Sequence, residues 1–135
     1  MNKVKVITKR PNEKPKVEDI ENEYEALYNY VLGLIDYTYL PKREDIDIIV
    51  NDSSLILGMD ANIVLPEYEG VLAGPIIFAA HNENGDMISL NDEQIDYILK
   101  YIDKNQVFNM SLERAFQYSR IIKPLRECED ELGLE

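Results

Sequence analysis

The 135-residue sequence has one cysteine, one histidine and no tryptophan. A single cysteine excludes an internal disulfide and favours a reducing compartment. The N-terminal residues lack the apolar stretch of a signal peptide, and the longest apolar run, residues 71–80, is far shorter than the ~20 residues that span a bilayer. We therefore expect a cytoplasmic protein without a membrane partner, and the length favours a single domain with a small addition.

Basic residues are missing from the middle of the chain. No Lys or Arg lies between Arg43 and Lys100, whereas twelve Asp and Glu residues do, and the formal net charge of the chain is −12. This charge repels phosphate backbones and attracts basic protein surfaces, so we expect no direct nucleic-acid binding. The alternative is that the acids only keep the chain soluble. The predicted partner-binding acidic face consists of Glu44, Asp45, Asp47, Asp52, Asp60, Glu67 and Glu69.

Residues suited to catalysis are scarce. Nucleophilic catalysis needs a nucleophile beside a base, but His81 and Cys128 fall in separate predicted elements. One His and one Cys cannot form a closed zinc site, and neither an Asp-rich calcium loop nor a Gly-rich phosphate loop is present. The sequence therefore predicts a protein that is not an enzyme and that uses no metal or cofactor.

Alternating polar and apolar residues predict several short strands. These strands are residues 3–8, 37–40, 45–50, 55–57, 70–81 and 87–90. The most apolar segment, 70–81, is predicted as the central strand with a bend at Gly74-Pro75, and Asn84-Gly85 favours a hairpin turn after it. Residues 60–65 are predicted as a brief helical turn.

Helical periodicity predicts three or four helices. Asn22 is the predicted N-cap of the first helix, whose buried stripe is Tyr24, Leu27, Tyr28, Val31, Leu34 and Ile35. Asn91, with Gln94 three residues later, is predicted to cap the second helix. Ser111 is predicted to cap a third helix, which Pro124 ends or kinks before a short fourth at residues 125–132.

This order of elements predicts an α+β fold. The sheet is expected to be largely antiparallel or mixed, with five to six short strands packed by two helices, and further helices follow at the C-terminus. We expect a core domain at residues 1–104 and a helical extension at residues 105–135.

Two groups of residues are candidates for binding in addition to the acids. Tyr97 and Tyr101 lie across the second helix from its apolar stripe, so a partner, a second subunit or the C-terminal helices are expected to cover them. Lys3, Lys5 and Lys9 line one side of the first strand. Their simplest interpretation is protection of a sheet edge, and the alternative is an anion site.

Several short segments resemble one protein family. They are Glu25-Ala26-Leu27 with Val31-Leu32-Gly33, Asn51, Leu57-Gly58-Met59 with Asn62, Ala73-Gly74-Pro75-Ile76-Ile77-Phe78, and Gly85-Asp86 with Ser89-Leu90-Asn91-Asp92-Glu93-Gln94-Ile95. Their order and spacing over residues 3 to about 101 resemble domain of unknown function 3846. This resemblance supplies no activity; it implies an accessory protein of phages or other mobile elements.

Three functions follow as hypotheses. The first is an acidic inhibitor or regulator that binds a basic host protein stoichiometrically, as in counter-defence. The second is a sponge that sequesters a small nucleotide signal, with tyrosines stacking on bases and Lys3, Lys5 and Lys9 or helix N-termini holding phosphates. The third is a homodimerising module without a ligand, in which residues 105–135 form the interface.

Overall fold

The computed structural model describes residues 2–131 as an antiparallel α+β fold, which confirms the predicted fold class. The strands are β1 (Lys3–Lys9), β2 (Lys16–Glu21), β3 (Ile35–Leu40), β4 (Arg43–Asn51), β5 (Ala61–Leu65), β6 (Gly70–Ala73), β7 (Ile76–His81) and β8 (Met87–Ile88). The helices are α1 (Tyr24–Val31), α2 (Asp92–Asn105) and α3 (Leu112–Glu131), and a 3-10 turn, Pro66–Tyr68, joins β5 to β6.

The strands form two sheets of unequal size. The main sheet has the order β2-β1-β7-β4-β3, with β8 paired to the end of β7, and every pairing is antiparallel. The strand β7 is central, as predicted for the apolar segment that contains it. The strands β5 and β6 pair with each other in a separate two-stranded sheet.

Both faces of the main sheet are covered, because its central strands are apolar on both sides. On one face, Leu27 and Val31 of α1 pack against Ile77 and Ala79 of β7. On the other face, α2 and the small sheet pack against the β7 side chains that point in the opposite direction, such as Phe78. The helix α1 therefore lies alone on its face and leaves part of that face open.

The C-terminal helix α3 packs on the small sheet. Ala115 and Ile122 of α3 contact Val64 of β5 and Val71 of β6 in one apolar cluster. The small sheet thus lies between the main sheet and α3, and for this reason all five residues of β5 are buried. The helix α2 extends to Asn105, so the predicted domain boundary at residue 104 falls within its last turn.

Three of the sequence-based element predictions are wrong. Residues 60–65 form strand β5 rather than a helical turn, and residues 55–57 form an exposed turn rather than a strand. Residues 70–81 are two strands in different sheets, divided at Gly74-Pro75. Gly74 has a φ of +76°, and a Cβ at this position would lie 2.5 Å from the sulfur of Met59. Glycine therefore suits the point at which the chain passes from one sheet to the other.

The helix α1 also differs from its prediction. Its N-cap is Glu23, whereas the side chain of Asn22 donates to the backbone carbonyl of Met87. The helix has only eight residues and buries Leu27 and Val31, so Tyr24 and Tyr28, which were predicted as core, are exposed. A helix of two turns has room for one narrow apolar stripe, and the other apolar positions remain outside it.

A strand missing from the prediction changes the interpretation of the N-terminal lysines. The strand β2 is charged at four of its six positions and carries little periodic signal, yet it pairs with β1 along nearly its whole length. The strand β1 therefore lies inside the sheet, so Lys3 and Lys5 do not protect a sheet edge.

The C-terminal segment forms one helix, with Pro124 in its interior, rather than two helices. The predicted fourth helix at residues 125–132 is thus the end of α3 as far as Glu131, and its last residue lies outside the described range.

The predicted cap of α2 is confirmed. The side chain of Asn91 accepts from the Gln94 backbone N–H (2.8 Å), and the Gln94 side chain accepts from the Asn91 backbone N–H (2.9 Å). This reciprocal pair satisfies two N–H groups at the start of the helix. We expect Asn91→Ala to lower the free energy of unfolding by about 1 kcal/mol, measured by urea denaturation. Asn84→Ala, in an exposed turn, is the control and should change it by less than about 0.5 kcal/mol.

Candidate functional site

An open cleft of about 570 Å³ lies on the α1 side of the main sheet. Its walls come from the start of α1, from β3 and β4, and from the end of β7 with the hairpin that follows it. The lining residues are Asn22, Glu23, Tyr24, Leu27, Tyr37, Thr38, Tyr39, Asp47, Ile49, His81, Gly85 and Met87. The cleft exists because α1 is too short to cover this end of the sheet.

An Asp–His pair lies in the cleft. The side chains of Asp47 on β4 and His81 on β7 belong to neighbouring strands, and Nδ1 of His81 lies 3.0 and 3.1 Å from the two oxygens of Asp47. The Asp47 side chain is only 14% exposed. Burial raises the pKa of this carboxyl group, and the hydrogen bond from His81 opposes that shift.

Three tyrosines surround this pair. Tyr24, Tyr37 and Tyr39 are 53%, 55% and 49% exposed, although all three line the cleft. The ring of Tyr39 lies 6.2 Å from that of His81. Burial, followed by the charge of Asp47 and the hydroxyl of Tyr24, raises the pKa of Tyr37, so these groups share one electrostatic environment. The cleft thus presents aromatic surface around a carboxylate.

The described residues of the cleft lining include acids but, besides the imidazole of His81, no basic side chain. Asp47 and Glu23 are acidic, and no Lys or Arg appears among the lining residues that the structure describes. A carboxylate beside aromatic rings attracts cations, through both its charge and the negative faces of the rings. Phosphate groups find no cation here.

The hydroxyl groups of the cleft lining belong to Thr38 and to the three tyrosines. Within residues 2–131, its lining has neither a serine nor a cysteine, and Cys128 is exposed on α3. The same part of the chain has no group of three or more His, Cys, Asp or Glu side chains placed to hold a metal ion.

The predicted acidic residues do not form one face. Asp47 lies in the cleft on the α1 side of the sheet, whereas Glu67 accepts a hydrogen bond from Tyr101 on the α2 side. Asp45 forms an ion pair with Arg43, and Glu69 lies 3.6 Å from Lys123. Glu44, Asp52 and Asp60 are exposed. Of the seven acids, only Asp47 lines the cleft.

Tyr97 and Tyr101 are engaged within the chain. The guanidinium of Arg43 lies 4.7 Å from the centre of the Tyr97 ring, and the Tyr101 hydroxyl donates to Glu67 at 2.8 Å. Both tyrosines pack against the core beneath α2. A partner, a second subunit or the C-terminal helices were expected to cover the two tyrosines. Within the chain, Arg43 of β4 and Glu67 of the 3-10 turn make these contacts, and Arg126 of α3 lines the same cavity as both rings.

The three N-terminal lysines do not form one site. Lys9 is buried, with 1% exposure, and its ammonium donates to the side-chain oxygen of Asn62 at 2.6 Å. Lys3 and Lys5 are exposed in the first half of β1. Lys9 is thus unavailable to a surface ligand, because its side chain points into the core between β1 and β5.

A second cavity of about 490 Å³ lies between α2 and the end of α3. Its lining includes Tyr97, Tyr101 and the basic residues Lys42, Lys100, Lys104 and Arg126. Three of these cations have acidic partners: Lys100 pairs with Asp96, and Lys104 and Arg126 both pair with Glu129. Two carboxylates of the same chain thus interact with three of the four cations of this cavity.

The sequence contains a signal for the cleft in the spacing of two tyrosines. Tyr37 and Tyr39 are two residues apart on a strand, so both rings lie on the same face of the sheet. Asp47 pairs with Tyr39 across the two strands and lies on that face as well. The sequence pattern did not show that α1 begins only at Tyr24, beside these three side chains.

Comparison with protein families places the chain in a known group. The family model described as Domain of unknown function (DUF3846) matches residues 4–104, which is close to the segment that resembled this family in the sequence. The chain belongs to this family. Neither a curated protein nor a solved structure matches the sequence.

The match defines which parts of the DUF3846 domain form the cleft. All its lining residues lie between Asn22 and Met87, inside the matched segment. The helix α3 lies outside the match. No helix in the described part of the chain is both long and apolar enough to span a bilayer. The cleft therefore lies entirely within the DUF3846 domain of this chain.

Proposed function

We propose that this DUF3846 protein is a non-catalytic binding protein that holds a cationic side chain of a basic partner protein in the cleft. The observation that carries the proposal is the combination of three half-exposed tyrosine rings with the largely buried carboxylate of Asp47. The resemblance to proteins of mobile elements suggests a basic host protein as the partner, bound stoichiometrically in counter-defence or regulation.

Two physical terms favour a cation in this cleft. A guanidinium or ammonium over a tyrosine ring gains about 0.5–2 kcal/mol, and the gain increases as water is excluded. The carboxylate of Asp47, at 14% exposure, is poorly hydrated, so a cation would restore favourable interactions that water supplies only in part. Arginine suits the cleft best, because its planar group both stacks on rings and pairs with a carboxylate.

Sequestration of a small nucleotide has less support. Tyrosines are available for stacking, but the cleft that contains them presents Glu23 and Asp47 where phosphates would need cations. Three of the four cations of the second cavity pair with acids of the same chain. A basic protein segment therefore accounts for more of the geometry than a phosphorylated ligand.

Titration with a single amino acid tests the proposal. The probes are N-acetyl-arginine methylamide and its neutral isostere, N-acetyl-citrulline methylamide, followed by NMR of the tyrosine ring signals. We expect the arginine probe to shift the signals of Tyr24, Tyr37 and Tyr39 with a dissociation constant in the millimolar range, and the citrulline probe to bind about tenfold more weakly.

Tyr68 and Tyr118, which lie outside the cleft, serve as internal controls and should not shift. Tyr37→Leu retains apolar surface but removes one ring, so it should weaken binding of the arginine probe about three- to tenfold. Equal shifts with both probes, or shifts of all tyrosines together, would contradict a cation site.

A further inference from the structure

The two edges of the main sheet differ in how well they are protected. The edge strand β2 carries a charge at Lys16, Glu18, Asp19 and Glu21, a usual device against unwanted strand pairing. The opposite edge strand, β3, has the sequence Ile-Asp-Tyr-Thr-Tyr-Leu, with a single charged residue. Within residues 2–131, no strand pairs with its outer side.

The backbone of β3 directs polar groups outward beside the cleft. The Tyr37 N–H donates to the side chain of Asp36 (3.0 Å) rather than to β4, and the backbone N–H of Asp52 donates to the Leu34 carbonyl. Along an antiparallel strand, every second residue directs its backbone N–H and C=O groups to the partner strand, and the residues between them direct these groups to the other side. In β3, the residues that direct them away from β4 are Ile35, Tyr37 and Tyr39. A bulge after Tyr39 ends this regular edge.

Charge complementarity identifies the kind of strand that this edge accepts. Asp36 lies at the edge itself, and Asp47 and Glu23 lie in the adjoining cleft, whereas no Lys or Arg lines the cleft in the part of the chain that is described. Side chains directly opposite each other on antiparallel strands lie about 4.5–5.5 Å apart, so an added strand would place alternate side chains beside Tyr37 and Tyr39.

We propose that a basic, extended segment of the partner protein binds as an additional strand on the outer edge of β3 and inserts a cationic side chain into the cleft. This inference rests on the proposed function, to which it adds the mode of binding. Backbone hydrogen bonds to β3 would supply affinity, and the cleft would select a cation at alternate positions of the segment.

Peptides with selectively methylated backbones test this mode. The parent probe is acetyl-Val-Arg-Val-Arg-Val-Arg-amide, and two variants carry N-methyl groups on either the three valines or the three arginines. Only every second N–H of an added strand faces the edge. We expect one variant to bind at least about tenfold more weakly than the parent, and the other to bind within about threefold of it.

Amide hydrogen exchange locates the added strand. Binding of the parent peptide should slow exchange at Tyr37 and Tyr39, while β2, at the other edge of the same sheet, serves as the internal control and should not change. If both methylated variants bind as well as the parent, or if protection is absent from β3, strand addition is wrong. The proposed function would then still be tested separately, because the preference of the cleft for the arginine probe over the citrulline probe does not depend on strand addition.

Pairing of β3 with a second copy of the chain is the competing outcome. It predicts a mass that doubles with protein concentration in sedimentation, together with protection of β3 before any peptide is added. That result would overturn the proposal. A monomer with a β3 edge that becomes protected only in the presence of the basic peptide supports it.

Discussion

Replacing Asn62 with alanine is expected to lower the free energy of unfolding by about 3–5 kcal/mol, the largest effect of any single side chain considered. Asn62 is fully buried and holds three elements together. Its side-chain oxygen accepts from the Lys9 ammonium (2.6 Å), and its amide donates to the backbone carbonyls of Lys9 (3.0 Å) and Gly74 (2.8 Å). Alanine would leave all three partners without this hydrogen bond inside the protein.

The buried ammonium accounts for much of this cost. The Lys9 nitrogen has few other contacts, namely the Arg10 carbonyl at 3.4 Å and the face of Phe108 at 5.6 Å. Lys9→Met removes the charge and should cost less, about 1–2 kcal/mol, because a neutral amide is easier to leave unpaired than an ion. In the Lys9→Met variant, Asn62→Ala should lower the free energy of unfolding by about 2 kcal/mol less than it does in the parent protein. Urea denaturation of the four proteins measures this coupling, and additive effects would contradict it.

Lys9 also predicts a dependence of stability on pH. Burial lowers the pKa of Lys9 from 10.5 to about 8, and Glu13 opposes the shift. Between these values the unfolded chain holds a proton that the folded chain has released, so stability rises as the pH increases from 8 towards 10.5. Lys9→Met should lack this rise. The free energy of unfolding of the parent protein and of Lys9→Met is measured at pH 7.5 and at pH 10. Identical pH dependence in the two proteins would show that Lys9 does not cause the rise in stability.

Local signals in the sequence account for the parts of the fold that depend on local chemistry. The capping pair Asn91–Gln94 predicted the start of α2, and the alternation along residues 45–50 predicted most of β4. The strand β2 escaped prediction because pairing with β1, rather than any apolar pattern, stabilises it. The strand β5 escaped because it is covered on both sides, which removes the alternation that identifies a strand with one exposed face.

The site was harder to predict than the fold, because each of its residues has a second plausible role in the sequence. Asp47 was included in an acidic face, but the interior position of its side chain, beside His81, distinguishes it from exposed acids such as Asp52. Tyr24 has the spacing of a core residue, but α1 begins at this residue and buries only Leu27 and Val31, so the Tyr24 ring is exposed at the cleft. The end of a short helix depends on tertiary packing, which local propensity does not determine.

Reversing the charge of Asp47 is expected to abolish binding of the arginine probe. In Asp47→Lys, an ammonium replaces the carboxylate in the cleft, so the attraction to an incoming guanidinium becomes repulsion. At about 4 Å and an effective dielectric constant of about 20, each such interaction amounts to several kcal/mol before desolvation is subtracted. We therefore expect the dissociation constant to increase at least about 30-fold.

Asp52→Lys is the matched control, because it changes the net charge by the same amount at an exposed turn outside the cleft. Its effect on binding should remain below about twofold in 0.15 M salt, where distant surface charges are screened. Asp47→Asn offers an independent check on folding, since an amide can keep a hydrogen bond to His81 without the charge, and it should weaken binding about five- to tenfold. Equal losses in Asp47→Lys and Asp52→Lys would mean that the overall negative charge, rather than the cleft, attracts the cation, and the cleft would then have no special role in binding.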